Sequence, residues 1–354
     1  KIDQLKLINE KVEMNIDFFI PNEWSIIEEG FNPETVKASE SIFSIGNGAM
    51  GQRANFEEQY SGASFQGSYI AGVYYPDKTR VGWWKNGYPE YFAKVLNAPN
   101  WIGIHLHVNG ESLDLNTVKE VKNFRRELKM KEGWLSRSFD VIMQNHVEVR
   151  VHSIRFLSLN IEEVGVIKYA VTPINTDVKI QFSPYIDGSV SNEDSNWDDQ
   201  FWDVYKVEQN NYGSFLQAKT MKTEFHTCTY MATKLFLGNE ELPLKARNIK
   251  TENYASYEYE HLVGKGETFS IEKYAGYVVD RKHDQSELLD AAKRVLHRAM
   301  NLGFDLLLDQ QRKAWVDIWN MADITIDGDV KAQQGIRFNI FQLNQTYLGT
   351  DASL

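Results

Sequence analysis

The chain has 354 residues, 42% of them hydrophobic and 13% aromatic, and a formal net charge of -11. That balance allows a large core and excludes nucleic acid or an anionic membrane as the main partner, because both require a basic face. Cys228 is the single cysteine, so no intrachain disulfide forms, and no apolar run approaches the roughly 20 residues of a membrane span.

A reducing compartment suits one cysteine, and the expected location is the cytoplasm. Residues 1–14 are charged and lack the apolar core of a secretory signal; they read as an N-terminal extension. From Asn15 the pattern changes. Trp24 to Glu29 predicts a strand. Phe43-Ser-Ile-Gly-Asn-Gly-Ala-Met-Gly51 follows. Its closely spaced Gly46, Gly48 and Gly51 lack the strand and acidic residue of a dinucleotide site, so they predict tight turns or close backbone packing.

Gly82 to Trp101 holds three Trp and two Tyr among Gly, Pro and Asn. Rings and amides of this kind can lie along a sugar, and they can equally plug the end of a sandwich; packing is the expected role. From Ile102 to Tyr277 strands dominate. Ile102, Ile104, Leu106 and Val108 alternate with Gly103, His105 and His107, and Asn109-Gly110 marks a hairpin turn. Further alternating runs occupy Val147–Phe156, Val166–Pro173, Val178–Phe182, Thr227–Leu237 and Thr268–Val279. Short strands with turn residues between them predict antiparallel sheets packed face to face over residues 15–282, a large β-sandwich.

Near Asp284 the hydrophobic period lengthens. Ser286 is a candidate cap for a helix burying Leu288, Leu289, Ala292, Val295, Leu296 and Met300. Gly303 is expected to end it. A second helix, Phe304 to Met321, carries Leu307, Leu308, Gln311, Trp315 and Trp319, and Asp323 to Asp329 predicts a short strand and turn. Residues 283–328 therefore read as a helical linker. In 329–354, Ile336, Ile340, Leu343 and Tyr347 recur at helical spacing beside Arg337, Asn339, Gln342 and Gln345. A striped helix needs a partner for its apolar face, so this segment reads as the opening helix of a further domain.

Three clusters invite chemistry. Glu193, Asp194, Asp198, Asp199 and Asp203 could pair as acid and base or bind calcium; an acidic solvated loop anchored by Trp197 and Trp202 is the expected role. His105 and His107 share a strand face without a third metal ligand, so no metal site is expected. Cys228 lies in a strand and reads as core.

Four segments carry a resemblance to a known family: Ser41–Arg53, Gly67–Tyr74, Leu96–Trp101 and Gly335–Gln345. From about residue 15 the chain resembles glycoside hydrolase family 65, which includes maltose, trehalose and kojibiose phosphorylases. The resemblance implies a mainly β chain: a large antiparallel β-sandwich, linker helices, and the first helix of a truncated (α/α)6 barrel. It implies an inverting disaccharide phosphorylase, maltose first, in which inorganic phosphate attacks the anomeric carbon and a barrel Glu is general acid. No cofactor or metal is implied; phosphate is the co-substrate, and the partners are an α-linked glucose disaccharide and a second copy in a homodimer. No catalytic residue is assigned in this chain, which is expected to be inactive alone. Arg337, Phe338 and Asn339 are the candidate sugar contacts, with the loop from Trp83 to Tyr91 reaching over the barrel mouth; for Arg337 and Asn339, hydrogen bonding at a helix end is an equal alternative. Two rival readings are a non-catalytic carbohydrate-binding or dimerisation sandwich, and a trehalose hydrolase of the same family.

Overall fold

The computed structural model describes residues 19–79, 87–192 and 200–349. Among these, an eleven-stranded antiparallel sheet runs in the order Phe19–Ile20, Ser25–Glu29, Glu120–Lys129, Trp134–Ile142, Glu148–Leu157, Val164–Pro173, Phe269–Val279, His226–Leu237, Gly213–Thr220 and Trp202–Asn210. Glu240–Glu241 pairs off the strand His226–Leu237. A five-stranded sheet follows the order Arg247–Lys250, Tyr254–Val263, Val178–Asp187, Ile104–Val108 and Glu111–Ser112.

The two sheets meet face to face as alternation predicts. Ile104, Leu106 and Val108 are buried while His105 and His107 face away from the core. The turn at Asn109-Gly110 has φ of 52° and 84°, the left-handed pair that a tight hairpin requires. Phe182 of the small sheet stacks on Phe269 of the large one, 4.9 Å between centroids, and meets Tyr169 edge-on at 6.1 Å. Each such aromatic contributes several kcal/mol through burial, so this seam is the main source of cohesion.

Every residue of Phe269–Val279 is buried. An amphipathic strand buries one face; this one buries both because a helix covers the outer side of the sheet. Leu288, Ala292, Leu296, Ala299, Phe304, Leu307 and Leu308 form a second cluster with Phe156, Cys228, Tyr230, Tyr274 and Val278. The molecule therefore has three layers, small sheet, large sheet and helix.

That helix spans Leu288–Ala322 and is broken at Gly303, whose φ of 75° and ψ of 169° are not helical. The expected two helices are thus present, and Leu307, Leu308, Gln311, Trp315 and Trp319 are all buried. Two local expectations fail. Ser286 caps nothing, because it lies inside the 3-10 turn Gln285–Glu287, whose N-cap is Asp284. Asp323 to Asp329 pairs with no strand; its backbone runs irregularly and hands Asp329 to the next helix, Val330–Thr346, where Asp329 accepts a hydrogen bond from the Ala332 amide at 3.0 Å.

The terminal helix Val330–Thr346 turns its polar side, rather than its apolar stripe, to the rest of the chain. Its buried residues are Gln333, Arg337, Phe341 and Gln345. Leu343 and Tyr347 are 71% and 52% exposed, and Ile336 and Ile340 are half-buried. The polar stripe faces inward because it finds partners there: the Gln333 carboxamide bonds Ile326 and Ile324 of the preceding linker, and Gln345 bonds the glycine segment of the sandwich.

Candidate functional site

The glycine segment builds a small sheet of its own. Ile45–Gly46 pairs with Met50–Gln52, which pairs with Ser68–Ile70 in the register Met50↔Ile70 and Gln52↔Ser68. Asn47 fixes the turn: its side-chain oxygen accepts from the Ala49 and Met50 amides, and its amide donates to the Ser158 and Glu162 carbonyls at 2.8 and 2.9 Å. Gly48 adopts φ +80°, and a Cβ on Gly46 would stand 2.9 Å from the Gln345 carbonyl oxygen. The glycines thus allow both a turn and a close approach, and the element approached is the terminal helix. Gly48 N donates to Gln345 O and Gly46 N to Gln345 Oε1, both at 2.8 Å.

Between these elements lies a cleft of about 540 Å³. Its walls are the glycine segment, the run Tyr69–Tyr74, Ala93 and Val95 of the ribbon strand Tyr91–Val95, and Gln342, Gln345 and Thr346 of the helix end. Three of the four segments that carry the family resemblance converge here. The lining mixes apolar surface with amides, hydroxyls and two tyrosines, the combination that suits a ligand with C–H faces and hydroxyl edges. Arg53 is the charged residue of the lining, held by the Phe65 and Lys37 carbonyls at 2.9 Å. Among the described lining residues there is no Asp or Glu, so the cleft offers hydrogen-bonding groups but no acid.

Gln52 is the least satisfied group in the wall. It is 1% exposed, and neither its carboxamide oxygen nor its nitrogen meets a protein hydrogen-bond partner. A buried polar group left so costs about 1–3 kcal/mol, and both carboxamide atoms lie beneath the cleft surface.

The described residues proposed from sequence do not line this cleft. Arg337 is buried and saturated: Nε and Nη2 grip Asp323 at 2.8 and 2.9 Å, Nη1 reaches the Glu23 carbonyl, and the guanidinium stacks 3.6 Å from the centre of Trp24. This is a clasp between the helix and the sandwich edge. Phe338 packs partly buried against the main core, and Asn339 is exposed. Tyr91 is 49% exposed at the start of its ribbon and does not line the cleft. Trp83 lies outside the described residues, as do Glu193, Asp194, Asp198 and Asp199. Trp101, by contrast, is fully buried. Gln52 and Tyr69 were not singled out from sequence, and Gln342 only as a polar neighbour of the helix stripe; the signal available for Gln52 was its place directly after the last glycine of the segment.

His105 lies tilted against Tyr185, 4.8 Å between ring centroids, and burial pushes its pKa below 6.5. Among the described residues no three His, Cys, Asp or Glu side chains come together as a metal site would need. Cys228 is buried, and burial pushes its thiol up to about 12, which leaves it inert as a nucleophile. Between the sheets, Arg137 bonds Glu57 at 2.6 Å and also Glu58, which accepts from the Tyr169 hydroxyl at 3.1 Å. These groups neutralise one another inside the core and open to no cavity described above.

Fold and cleft together define a class: a large antiparallel sandwich domain, backed by a helical element, with an acid-free amphipathic cleft at their junction. The chain belongs to glycosyl hydrolase family 65, whose N-terminal domain model matches residues 26–318. It is similar to the maltose phosphorylase of Bacillus subtilis (strain 168), 42% identical over 96% of this chain and 44% of that protein. The alpha,alpha-trehalose phosphorylase of Thermoanaerobacter brockii is 30% identical, over 92% of this chain and 43% of the relative. A solved structure described as a candidate kojibiose phosphorylase from the human microbiome superposes with a TM-score of 0.84 at 26% identity, covering 94% of this chain and 43% of that one. The chain thus spans less than half the length of the relatives it matches.

Proposed function

We propose that the parent enzyme is an inverting α-disaccharide phosphorylase acting on maltose. The observation that carries this reading is the gradient of similarity: 42% identity to a maltose phosphorylase against 30% to a trehalose phosphorylase and 27% to a kojibiose phosphorylase, over comparable spans. In this reading inorganic phosphate attacks the anomeric carbon from the face opposite the glycosidic oxygen. A carboxylic acid protonates the departing sugar, so the product is glucose 1-phosphate of inverted configuration. Phosphate is itself the nucleophile, so neither a water-activating base nor a cofactor or metal is required. In this reading the general acid is a Glu of the parent enzyme's barrel, since the described lining of the cleft offers no Asp or Glu, and the enzyme works as a cytoplasmic homodimer.

The chain's contribution is the cleft. Tyr69 and the helix-end glutamines supply an aromatic wall and hydrogen-bonding groups at the junction of sandwich and helix, with Gln52 behind them. The test is product analysis of the full-length enzyme with maltose, trehalose and kojibiose, each with and without phosphate. Phosphate-dependent release of glucose 1-phosphate from maltose, fastest of the three, is expected. Equal release of free glucose without phosphate would sink the phosphorylase reading. Preference for another disaccharide would sink the maltose reading alone. The 354-residue chain by itself should form no glucose 1-phosphate.

A further inference from the structure

A second groove, of about 610 Å³, opens where the hairpin Asn210–Gly213 meets the first half of the long helix and the strand Tyr254–Val263. It shares no lining residue with the cleft described above. Its volume falls within the roughly 300–1,000 Å³ of small-molecule sites. The floor is apolar: Phe215, Leu296 and Met300. The rings of Tyr257 and Tyr259 form a wall, and their hydroxyls are already committed, Tyr257 to the Asn210 carbonyl at 2.6 Å and Tyr259 to Thr233 at 2.9 Å. They present ring surface to the groove rather than polar ends.

At the lip stands Tyr212, 86% exposed. The tip that carries it is braced: the Asn210 side-chain oxygen accepts from the Tyr212 and Gly213 amides at 2.8 and 3.2 Å, and the Tyr257 hydroxyl ties the Asn210 carbonyl. An aromatic ring on a rigid mount is a ready stacking platform, since little entropy is lost on binding. The side chains of Asn211, Tyr212 and Lys234 make no hydrogen bond, ion pair or ring contact among the described residues. Lys293, in contrast, lies between Glu208 and Asp290, each at 3.8 Å.

The charge pattern selects the ligand class. A phosphorylated or polyanionic ligand needs several free cations, whereas among the described lining residues Lys234 is the one lysine without an ion-pair partner. A neutral chain with alternating C–H faces and hydroxyl edges matches an open tyrosine, an apolar floor and rim groups that donate and accept. We propose that this groove is a binding site for a neutral oligosaccharide, stacked on Tyr212 and hydrogen-bonded by Asn211 and Lys234. The proposal rests on ring and amide chemistry and stands apart from the reaction assigned to the parent enzyme.

Calorimetric titration of the chain with maltohexaose and with cellohexaose tests it. At least one should bind. Tyr212→Ala should weaken binding tenfold or more, and Lys234→Ala several-fold. Both positions are accessible, so matched melting curves will show that the variants fold. Met321→Ala, at an exposed position that lines neither cavity, should leave this binding unchanged, and Gln52→Ala probes the other cleft. Absence of binding by the unaltered chain at millimolar sugar overturns the proposal, as does binding that survives Tyr212→Ala and vanishes in Gln52→Ala. Light scattering closes the remaining route: a dimer that Tyr212→Ala converts to monomer without sugar would make the groove a subunit interface and overturn the sugar site.

Discussion

Two helices dock on the same sandwich by opposite chemistry. The long helix lays down leucines, alanines, Phe304 and two tryptophans, all buried. The terminal helix lays down Gln333, Arg337 and Gln345, with Phe341 as its one fully apolar anchor. The first association is mostly apolar and scales with buried area, with Gln311 and Trp319 adding hydrogen bonds to Leu159, Gly133 and Met130. The second is directional. Gln345 bonds Gly46 and Gly48, Arg337 bonds Asp323, and Gln334 reaches the Ser25 carbonyl at 2.7 Å. A polar face docked this way fixes one register and keeps the cleft wall in place, which area alone would not do.

The two modes meet at Trp315, and the largest effect is expected there. Trp315 is fully buried in the long helix and stacks on Phe341 of the terminal helix, 4.4 Å between centroids. Gly133 makes room for it: a Cβ on that glycine would fall 1.7 Å from the indole nitrogen. Trp315→Ala should cost about 3–5 kcal/mol in urea unfolding, by lost burial and by the cavity left behind. A loss under about 1 kcal/mol would mean that the helices do not depend on this contact.

Arg337 tests the directional mode. Arg337→Ala removes a bidentate pair and the Trp24 stack, but Asp323 retains some water, so the cost is discounted to about 2 kcal/mol. Arg337→Lys should recover less than half of it, since an ammonium cannot match the planar fork. A double-mutant cycle with Asp323→Ala should show coupling of about 1 kcal/mol. Additive losses would reduce the clasp to independent surface contacts.

This contrast also explains what was legible beforehand. The sandwich could be read from period-two alternation, and the long helix with its break at Gly303 from its apolar period, because both depend on where hydrophobic groups recur. The terminal helix has an apolar stripe too, yet its glutamines and arginine face inward. Gln333 and the Arg337 fork find partners in the preceding linker, but Gln334, Gln345 and the third Arg337 nitrogen reach backbone groups 299 to 314 residues away, and no local pattern announces those. The glycine segment was legible as a place of close approach; what approaches it was not. Gln52 was invisible as a candidate because its distinction is the absence of a partner, a property of three dimensions.

Acid should separate the two modes further. Burial raises the Glu57 carboxyl, but attraction to Arg155 and Arg137 and the hydrogen bond from Arg137 outweigh it, so its pKa falls below 4.5. A depressed folded pKa stabilises the fold above the unfolded value and ceases to do so as pH falls through the folded one. Lowering pH from 7 to 3 should therefore reduce the urea midpoint mainly below about 4.5. Glu57→Gln should start lower at pH 7 and show a shallower acid limb, while Trp315→Ala should run parallel to the unaltered chain. An acid limb unchanged in Glu57→Gln would remove this network from the account.

The smallest effect carries the sharpest contrast. By sequence period Leu343 belongs to the apolar stripe, for which no partner was expected within this chain, and it is 71% exposed, while Phe341 two residues earlier is 1% exposed. Leu343→Ser should change stability by no more than about 0.5 kcal/mol, as accessible substitutions do. Phe341→Ala should cost about 3–5 kcal/mol, as buried aromatic truncations do. Both changes sit on one helix and differ little in helix propensity, so their ratio isolates the orientation of the helix. A costly Leu343→Ser beside a mild Phe341→Ala would mean that the helix packs through its apolar stripe after all. The polar bonds from Gln345 to the glycine segment, and the cleft they close, would then have to be abandoned.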